Sequence, residues 1–470
     1  MRKSKAIFLI CLAVVLTVVP FQAALAQSKP DRPNVLFLFS DDQRTDTIAA
    51  YGSPHIRTPS LDRLVKQGVS FRRAYCMGSM RGAVCVPSRA MLHSGRTLFR
   101  VPMDLQGVKI LPEVLRQTGY TTFGTGKWHN KEESFARGFS HGKSVFFGGM
   151  SNHLKVPLQD LKSDGTYTQK APGSKFSSEL FADAVINFLK NYQEDRPFFA
   201  YVAFSAPHDP RMPPKKYANM YEPSKLPLPI NFLPQHPFFN GQMTGRDESL
   251  AAWPRTPKMI REQTAEYYGM ITHMDYQIGR IIKALKQTGQ AKNTLIIFAS
   301  DHGLAMGSHG LLGKQNLYEH SMRAPLIFVG PGIPEDQSSH ALTYLFDIFP
   351  TICQLTGIQI PDGVEGQSLV PIWQGKKKSV RDSIFTAFST VMRAVRNDRW
   401  KLIRYPHINK SQLFDLHNDP HELKNLADDP DQEDRVRKMM ALLQRWQKRV
   451  DDQQELTSAN PQPAAIDLTA

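Results

Sequence analysis

The sequence predicts an α/β fold with a largely parallel central sheet. Short apolar runs of strand length alternate with amphipathic stretches of helical period, as in chains that wind helices around such a sheet. Each apolar run also ends in polar residues, and open α/β sheets bind their ligands outside the carboxyl ends of the strands.

Taken in order, Pro33–Phe39 (PNVLFLF) is a first buried strand, followed by helical patterns at Ser60–Gln67 and Leu111–Gln117. Thr121–Thr125 is a strand leading into a turn at Gly124-Thr125-Gly126, and Ser178–Tyr192 has the period of a helix. Pro197–Phe204 (PFFAYVAF), Thr294–Ala299 (TLIIFA) and Pro325–Val329 are further strands, with a long helix at Glu262–Lys286. Between them, Pro210–Pro257 is rich in proline and lacks periodicity, so it reads as a long loop of the kind that more often carries function than structure. Near Gln374 the pattern changes: the run Gly375-Lys376-Lys377-Lys378 reads as a linker, and Ser383–Phe388, Met392–Arg396 and Trp400–Tyr405 read as adjacent antiparallel strands joined by short turns such as Asn397-Asp398. A helix at Arg435–Val450 closes this unit. The expected division is therefore a catalytic domain at residues 27–374, a C-terminal subdomain at 375–455 and a loose polar tail at 456–470.

The first 26 residues stand apart. Arg2, Lys3 and Lys5 precede an apolar run from Ala6 to Val19 and the small-residue site Ala24-Leu25-Ala26, the layout of a secretory signal peptide cut after Ala26. The apolar core falls short of the ~20 residues of a comfortable span. The expectation is an exported protein, periplasmic or secreted, without stable membrane insertion.

Lys and Arg number 58 against 43 Asp and Glu, a formal net charge of +15. That surface suits anionic partners. No Cys/His zinc pattern, repeat or basic-aromatic stripe points to nucleic acid. Cys76, Cys85 and Cys353 remain after cleavage, too few and too odd in number for a disulfide framework. Cys76 and Cys353 are expected to be free and buried.

Asp41-Asp42 ends the first strand, where adjacent carboxylates repel unless a cation lies between them. Asp301-His302 ends TLIIFA in the same way, so both pairs can converge at one sheet edge. Lys127, His129, His208 and Lys314 fall at strand ends or in loops able to face that edge. Singly each is ordinary; together they offer fixed positive charge and proton carriers, which hydrolysis of an anionic ester with a poor leaving group requires. Cys85 alone is ambiguous between a small buried hydrophobe and a nucleophile.

The run Cys85-Val86-Pro87-Ser88-Arg89, followed by Met91-Leu92-His93-Ser94-Gly95-Arg96, closely resembles the sulfatase signature, C-x-P-S-R and then a Gly-Arg pair. The likeness extends through Thr58–Leu64, the block Ser300–Gly332, and Gln412–Leu416 with Asn418-Asp419-Pro420, nearly the whole mature chain. It is closest in style to bacterial carbohydrate sulfatases of the alkaline-phosphatase-like superfamily. The resemblance implies a mostly parallel central sheet flanked by helices, plus a smaller C-terminal α+β domain with a four-stranded antiparallel sheet. It implies conversion of Cys85 to formylglycine by a maturation enzyme, and a calcium ion held by Asp41, Asp42, Asp301 and His302 with an oxygen of the modified Cys85. His302 stands where many relatives carry asparagine, and imidazole is a softer donor than an amide oxygen.

In the implied reaction the hydrated aldehyde attacks sulfur with help from Arg89, Lys127 and Lys314 hold sulfate oxygens, His208 protonates the leaving oxygen, and Asp301 and His129 assist proton transfer. The implied substrate is a sulfated polysaccharide or oligosaccharide, with His93, Arg100, His153, Asp209 and Arg211 as candidate sugar contacts. Two other readings stay open: a phosphodiesterase or phosphonate monoester hydrolase of the same superfamily, and a glycan-binding protein with an unprocessed Cys85.

Overall fold

Ten strands form the central sheet of the computed structural model, which describes residues 32–465. Their order across the sheet is Gln337–Ser339, Gly68–Phe71, Leu326–Val329, Thr294–Ser300, Asn34–Ser40, Phe198–Ala203, Thr121–Lys127, His141–Phe146, Pro157–Leu161 and Ala171–Pro172. The five strands from Thr294–Ser300 to His141–Phe146 are mutually parallel, and the antiparallel pairs lie outside them. The expected signal peptide, residues 1–26, lies outside the described residues, as does the end of the tail from residue 466. Among the described residues no helix is long and apolar enough to cross a membrane.

The first strand shows why these runs are continuously apolar. Val35, Phe37 and Phe39 enter one core and Leu36 and Leu38 the other, because side chains alternate across a strand and this sheet is covered on both faces. The face of Leu36 packs on helices Ser177–Asn191 and Pro257–Gln287 through Phe181, Val185, Met270, Met274 and Ile278. The opposite face is covered by Cys85–Ser94, Leu111–Gln117 and Ile348–Leu355. Each fully buried Leu, Val or Phe contributes about 1.5–3 kcal/mol, which is what fixes the strand ends in space.

Four local expectations change. Gly124-Thr125-Gly126 is not a turn: the strand runs from Thr121 through Lys127. Gly126 has φ 89°, and a Cβ there would stand 1.9 Å from the Ala203 carbonyl oxygen, so glycine is needed for close approach of the neighbouring strand. The long helix starts at Pro257 rather than Glu262, because the Thr256 hydroxyl accepts from Met259 N and Pro257 opens the first turn. In the C-terminal sheet Lys410–Asp415, Trp400–Tyr405, Met392–Arg396 and Ile384–Phe388 form the four antiparallel strands, and a fifth, Gly78–Ser79, joins Ile384–Phe388 in parallel from far upstream. The described part of the tail is anchored, with Arg404 donating to Leu456 O, Asn409 to Ser458 O, and Phe239 N to Ala464 O. Its polar composition concealed these backbone partners.

Candidate active site

Ser40 and Ser300 are register partners in the parallel pair, so the residues after them meet at one edge. Asp42 N donates to Asp301 Oδ1 at 3.0 Å. Asp42 takes a left-handed backbone, φ 63°, held from the other side by Tyr267 Oη, which donates to Asp42 O at 2.5 Å. Such strain persists where surrounding contacts over-determine it.

Cys85 opens the helix Cys85–Ser94, and Arg89 follows four residues later on the same helical face. Cys85 Sγ lies 3.4 Å from His302 Nε2 and 3.8 Å from Asp42 Oδ1. Arg89 Nη2 lies 3.3 Å from Asp301 Oδ2 and 3.6 Å from Asp41 Oδ2, while Nη1 donates to Lys127 O at 2.7 Å. Ser88 of the same motif donates to Asp301 O at 2.6 Å. Lys127, at the end of its strand, contacts Asp41 directly. Lys314 Nζ reaches both Asp42 oxygens, at 2.9 and 2.8 Å, and His208 Nε2 at 3.0 Å. Asp41, Asp42, Cys85, Arg89, Lys127, Asp301, His302 and Lys314 are all buried.

The electrostatics follow from this packing. Burial works to raise the Asp41 carboxyl, but Lys127, Arg89, His208 and Lys314 hold it well below the usual range. Asp42 is likewise lowered against burial, by His208, Lys314 and His302. Asp301 moves the other way, raised by burial and by Asp41. Burial and the Asp41 charge push the Cys85 thiol well up, so it stays protonated. Burial, then Lys127, pushes the His129 imidazole down to about 2.

Donor atoms of Asp41, Asp42, Cys85 and His302 lie within 4.8 Å of one another, and the buried Asp41 Oδ1 has no hydrogen-bond partner. A buried, carboxylate-rich set with an idle oxygen fits a hard divalent cation. Asp301 stands beside this set, with Oδ1 3.6 Å from His302 Nε2.

The candidate sugar contacts fare differently. Asp209 lies beside His208, its carboxylate 3.3 Å from Nδ1. His93 lies on the helix Cys85–Ser94 rather than in a loop, fully buried with its ring 4.5 Å from that of Trp128, so it cannot meet a sugar. His153 is buried too, with Nδ1 against Ser177 Oγ at 2.8 Å and Nε2 against His208 O at 3.0 Å, where it supports the backbone under His208. Arg100 bonds Glu365, Asp451 and Arg449 O, and Arg211 bonds Gln263; none of these partners is a site residue. Residue type alone does not say whether a polar group's partner already lies within the protein.

Other groups here had no signal in the sequence. Gly149 packs on His129 so closely that a Cβ would stand 2.7 Å from Nε2. From the long irregular segment, Arg246 bonds Asp209 and Asp247, and Asp247 lies 3.7 Å from Lys314 Nζ. These contacts join segments with no common spacing or motif. Cys76 and Cys353 are buried and free.

Paired carboxylates at the ends of parallel strands, with a helix-borne cysteine and buried cations converging on them, define a hydrolase of anionic esters with the alkaline-phosphatase-like fold. The chain belongs to the sulfatase family, the sulfuric ester hydrolases: the description "Sulfatase" matches residues 33–358, and "N-sulphoglucosamine sulphohydrolase, C-terminal" matches residues 307–449. It is 24% identical to an N-acetylglucosamine-6-O-sulfatase of Bacteroides thetaiotaomicron, over 90% of this chain and 87% of the relative. It is 28% identical to an arylsulfatase of Clostridium perfringens, over 86% of this chain and 92% of that one. The fold matches a solved structure in complex with its substrate D-glucosamine-2-N,6-O-disulfate, with TM-score 0.76 and 23% identity, covering 90% of this chain and 99% of that chain. A phosphonate monoester hydrolase of Agrobacterium radiobacter gives TM-score 0.74 at 26% identity, covering 93% and 100%.

Proposed function

We propose that this protein removes sulfate from a sulfated carbohydrate, a polysaccharide or its oligosaccharides, once a maturation enzyme has oxidised Cys85 to formylglycine. Asp41, Asp42, Asp301 and His302, with residue 85, would hold a calcium ion. Hydrated formylglycine would supply an oxygen nucleophile, and calcium would supply Lewis acidity and a template. The observation that carries this reading is the placement of Cys85: buried beside His302 and Asp42, in the first turn of its helix, with its own thiol held protonated. An unmodified thiol in that setting is a poor nucleophile.

The chain's own residues divide the remaining work. Lys127, against Asp41, and Lys314, against Asp42, would hold the sulfate oxygens, and Arg89 steadies Asp301 and Asp41. His208 donates Nδ1–H to Asp209 O at 2.8 Å, which turns Nε2 toward the site, and in its imidazolium form it would give the Nε2 proton to the leaving alkoxide. His129 is kept neutral, the form that can take a proton. A sugar substrate is supported by the N-acetylglucosamine-6-O-sulfatase and by an "Ulvan-active sulfatase" of Formosa agariphila among the relatives. The basic residues and apolar run at the N terminus support export to the periplasm or medium.

Mass spectrometry of the peptide bearing residue 85 from native protein, together with turnover of a panel of sulfated saccharides, tests the proposal. The expected result is an aldehyde at residue 85 and release of sulfate; a free thiol in active protein rejects the nucleophile. The phosphonate hydrolase likeness favours a second reading, and faster turnover of aryl phosphonates than of every sulfate ester would establish it.

A further inference from the structure

Arg246 lies in the irregular segment before helix Pro257–Gln287, and its side chain is 45% exposed. Nη1 and Nη2 bond one oxygen of Asp209, at 2.9 and 2.7 Å, and Nε bonds Asp247 Oδ1 at 3.0 Å. Both acids are buried, and each touches a group of the reacting centre: Asp209 Oδ1 lies 3.3 Å from His208 Nδ1, and Asp247 Oδ2 lies 3.7 Å from Lys314 Nζ. Gln315 fixes Asp247 from the other side at 2.9 Å. The half-exposed side chain of Met150 rests its sulfur on the guanidinium, 3.3 Å from Nη1 and 3.0 Å from Nη2. A thioether is a weak acceptor, so these N–H groups are covered without being well satisfied.

We propose that Arg246 is a specificity-determining residue, which with Asp209 recognises adjacent ring hydroxyls of the sugar bearing the scissile ester; this rests on the carbohydrate sulfatase reading above. A rigid donor fork beside a carboxylate acceptor matches a vicinal diol, which both donates and accepts. The charge balance agrees, since one guanidinium between two carboxylates leaves no surplus positive charge to draw a second anion. Met150 is the flexible cover that the entering sugar displaces.

The test compares kcat/KM for three substrates, 4-nitrophenyl sulfate, cyclohexyl sulfate and the monosaccharide sulfate that wild type hydrolyses best, in wild type, Arg246→Met and Arg246→Lys. Losing charged hydrogen bonds to substrate lowers turnover of the sugar ester about 10- to 100-fold more than that of the aryl ester, which has no ring hydroxyls. Arg246→Lys, which keeps the charge and loses the fork, shows the same bias to a smaller degree and stands in if the methionine variant fails to fold. Equal losses on the aryl and sugar esters, no loss, or as large a loss on cyclohexyl sulfate, an alkyl ester without further ring hydroxyls, overturn the proposal, because a residue that only steadies His208 and Lys314 slows every ester with a poor leaving group alike. Wild type that cleaves the aryl ester and no sugar ester rejects instead the carbohydrate reading, before any variant is made.

Discussion

Ser40 and Ser300 stand opposite each other in the parallel pair of strands, and this one register places Asp42 N 3.0 Å from Asp301 Oδ1. Two acidic turns 259 residues apart thereby become one cluster. A one-residue slip of either strand would send its side chains to the opposite faces, so the double-sided core fixes the cluster as well as the fold.

Calcium is expected to stabilise the protein measurably. After treatment with a chelator, wild type should melt at lower temperature and recover on adding calcium, by about 2.7 kcal/mol when calcium is 100 times its Kd. Asp42→Asn should lose both that recovery and sulfate release. A wild-type melting temperature indifferent to calcium would count against the metal.

His208 should matter most for poor leaving groups. His208→Ala is expected to slow alkyl and sugar sulfates about 10²- to 10⁴-fold, the usual contribution of a positioned acid. The loss on 4-nitrophenyl sulfate should be smaller, since nitrophenolate departs without a proton. Steady-state rates on both esters decide, and equal losses remove the assigned role.

Gly149→Ala should cut kcat while leaving the fold intact. The added methyl meets His129 Nε2 at 2.7 Å and must push the ring or its own loop aside. Displacement of that size costs about 10- to 100-fold. Unchanged kcat would show that His129 does not contribute where it lies.

Lys401, on strand Trp400–Tyr405 of the C-terminal sheet, is buried between Glu319, at 3.1 Å, and Glu422, at 2.7 Å. Lys401→Met leaves those carboxylates short of a cation, although Arg396 still reaches Glu319 at 3.0 Å. Removing one partner of a buried pair costs about 3–5 kcal/mol. Denaturant unfolding should show that loss.

Asp275 gives a pH signature away from the active site. Its buried carboxyl accepts from Ser60 N and Leu61 N at the start of helix Pro59–Lys66, and burial raises it to about 6. The folded protein therefore holds this proton more tightly than the unfolded chain, whose Asp titrates near ~3.9. The group's contribution to stability is fullest below that value and is lost as pH rises through about 6. Wild-type stability relative to Asp275→Asn should fall across this window by roughly 2–3 kcal/mol at most. A difference independent of pH would contradict the shift.

The parallel strands were legible because both of their faces are buried and the apolar runs are unbroken. The Cys85–Arg89 motif was legible because its residues fall within about one helical turn. Gly124 and Gly126 misled, since glycine marks turns and also marks places where another backbone comes close. The two-residue strand Gly78–Ser79 and the chain Arg246–Asp209–His208 left no trace, because such pairings depend on contacts between distant segments. His93 and His153 were misassigned for the same reason: their ring and backbone partners come from elsewhere in the fold.

The pairing of Gly78–Ser79 with Ala387 and Phe388 also bears on the order of events during synthesis. A ribosome releases the chain from its N terminus, and Ala387 emerges roughly three hundred residues after Gly78. Until then this short strand has no neighbour to bond, and the stretch leading into Cys85 remains an open thread. The enzyme proposed to oxidise Cys85 would have its opportunity while the C-terminal sheet is still unmade, since that residue is 2% exposed in the finished fold.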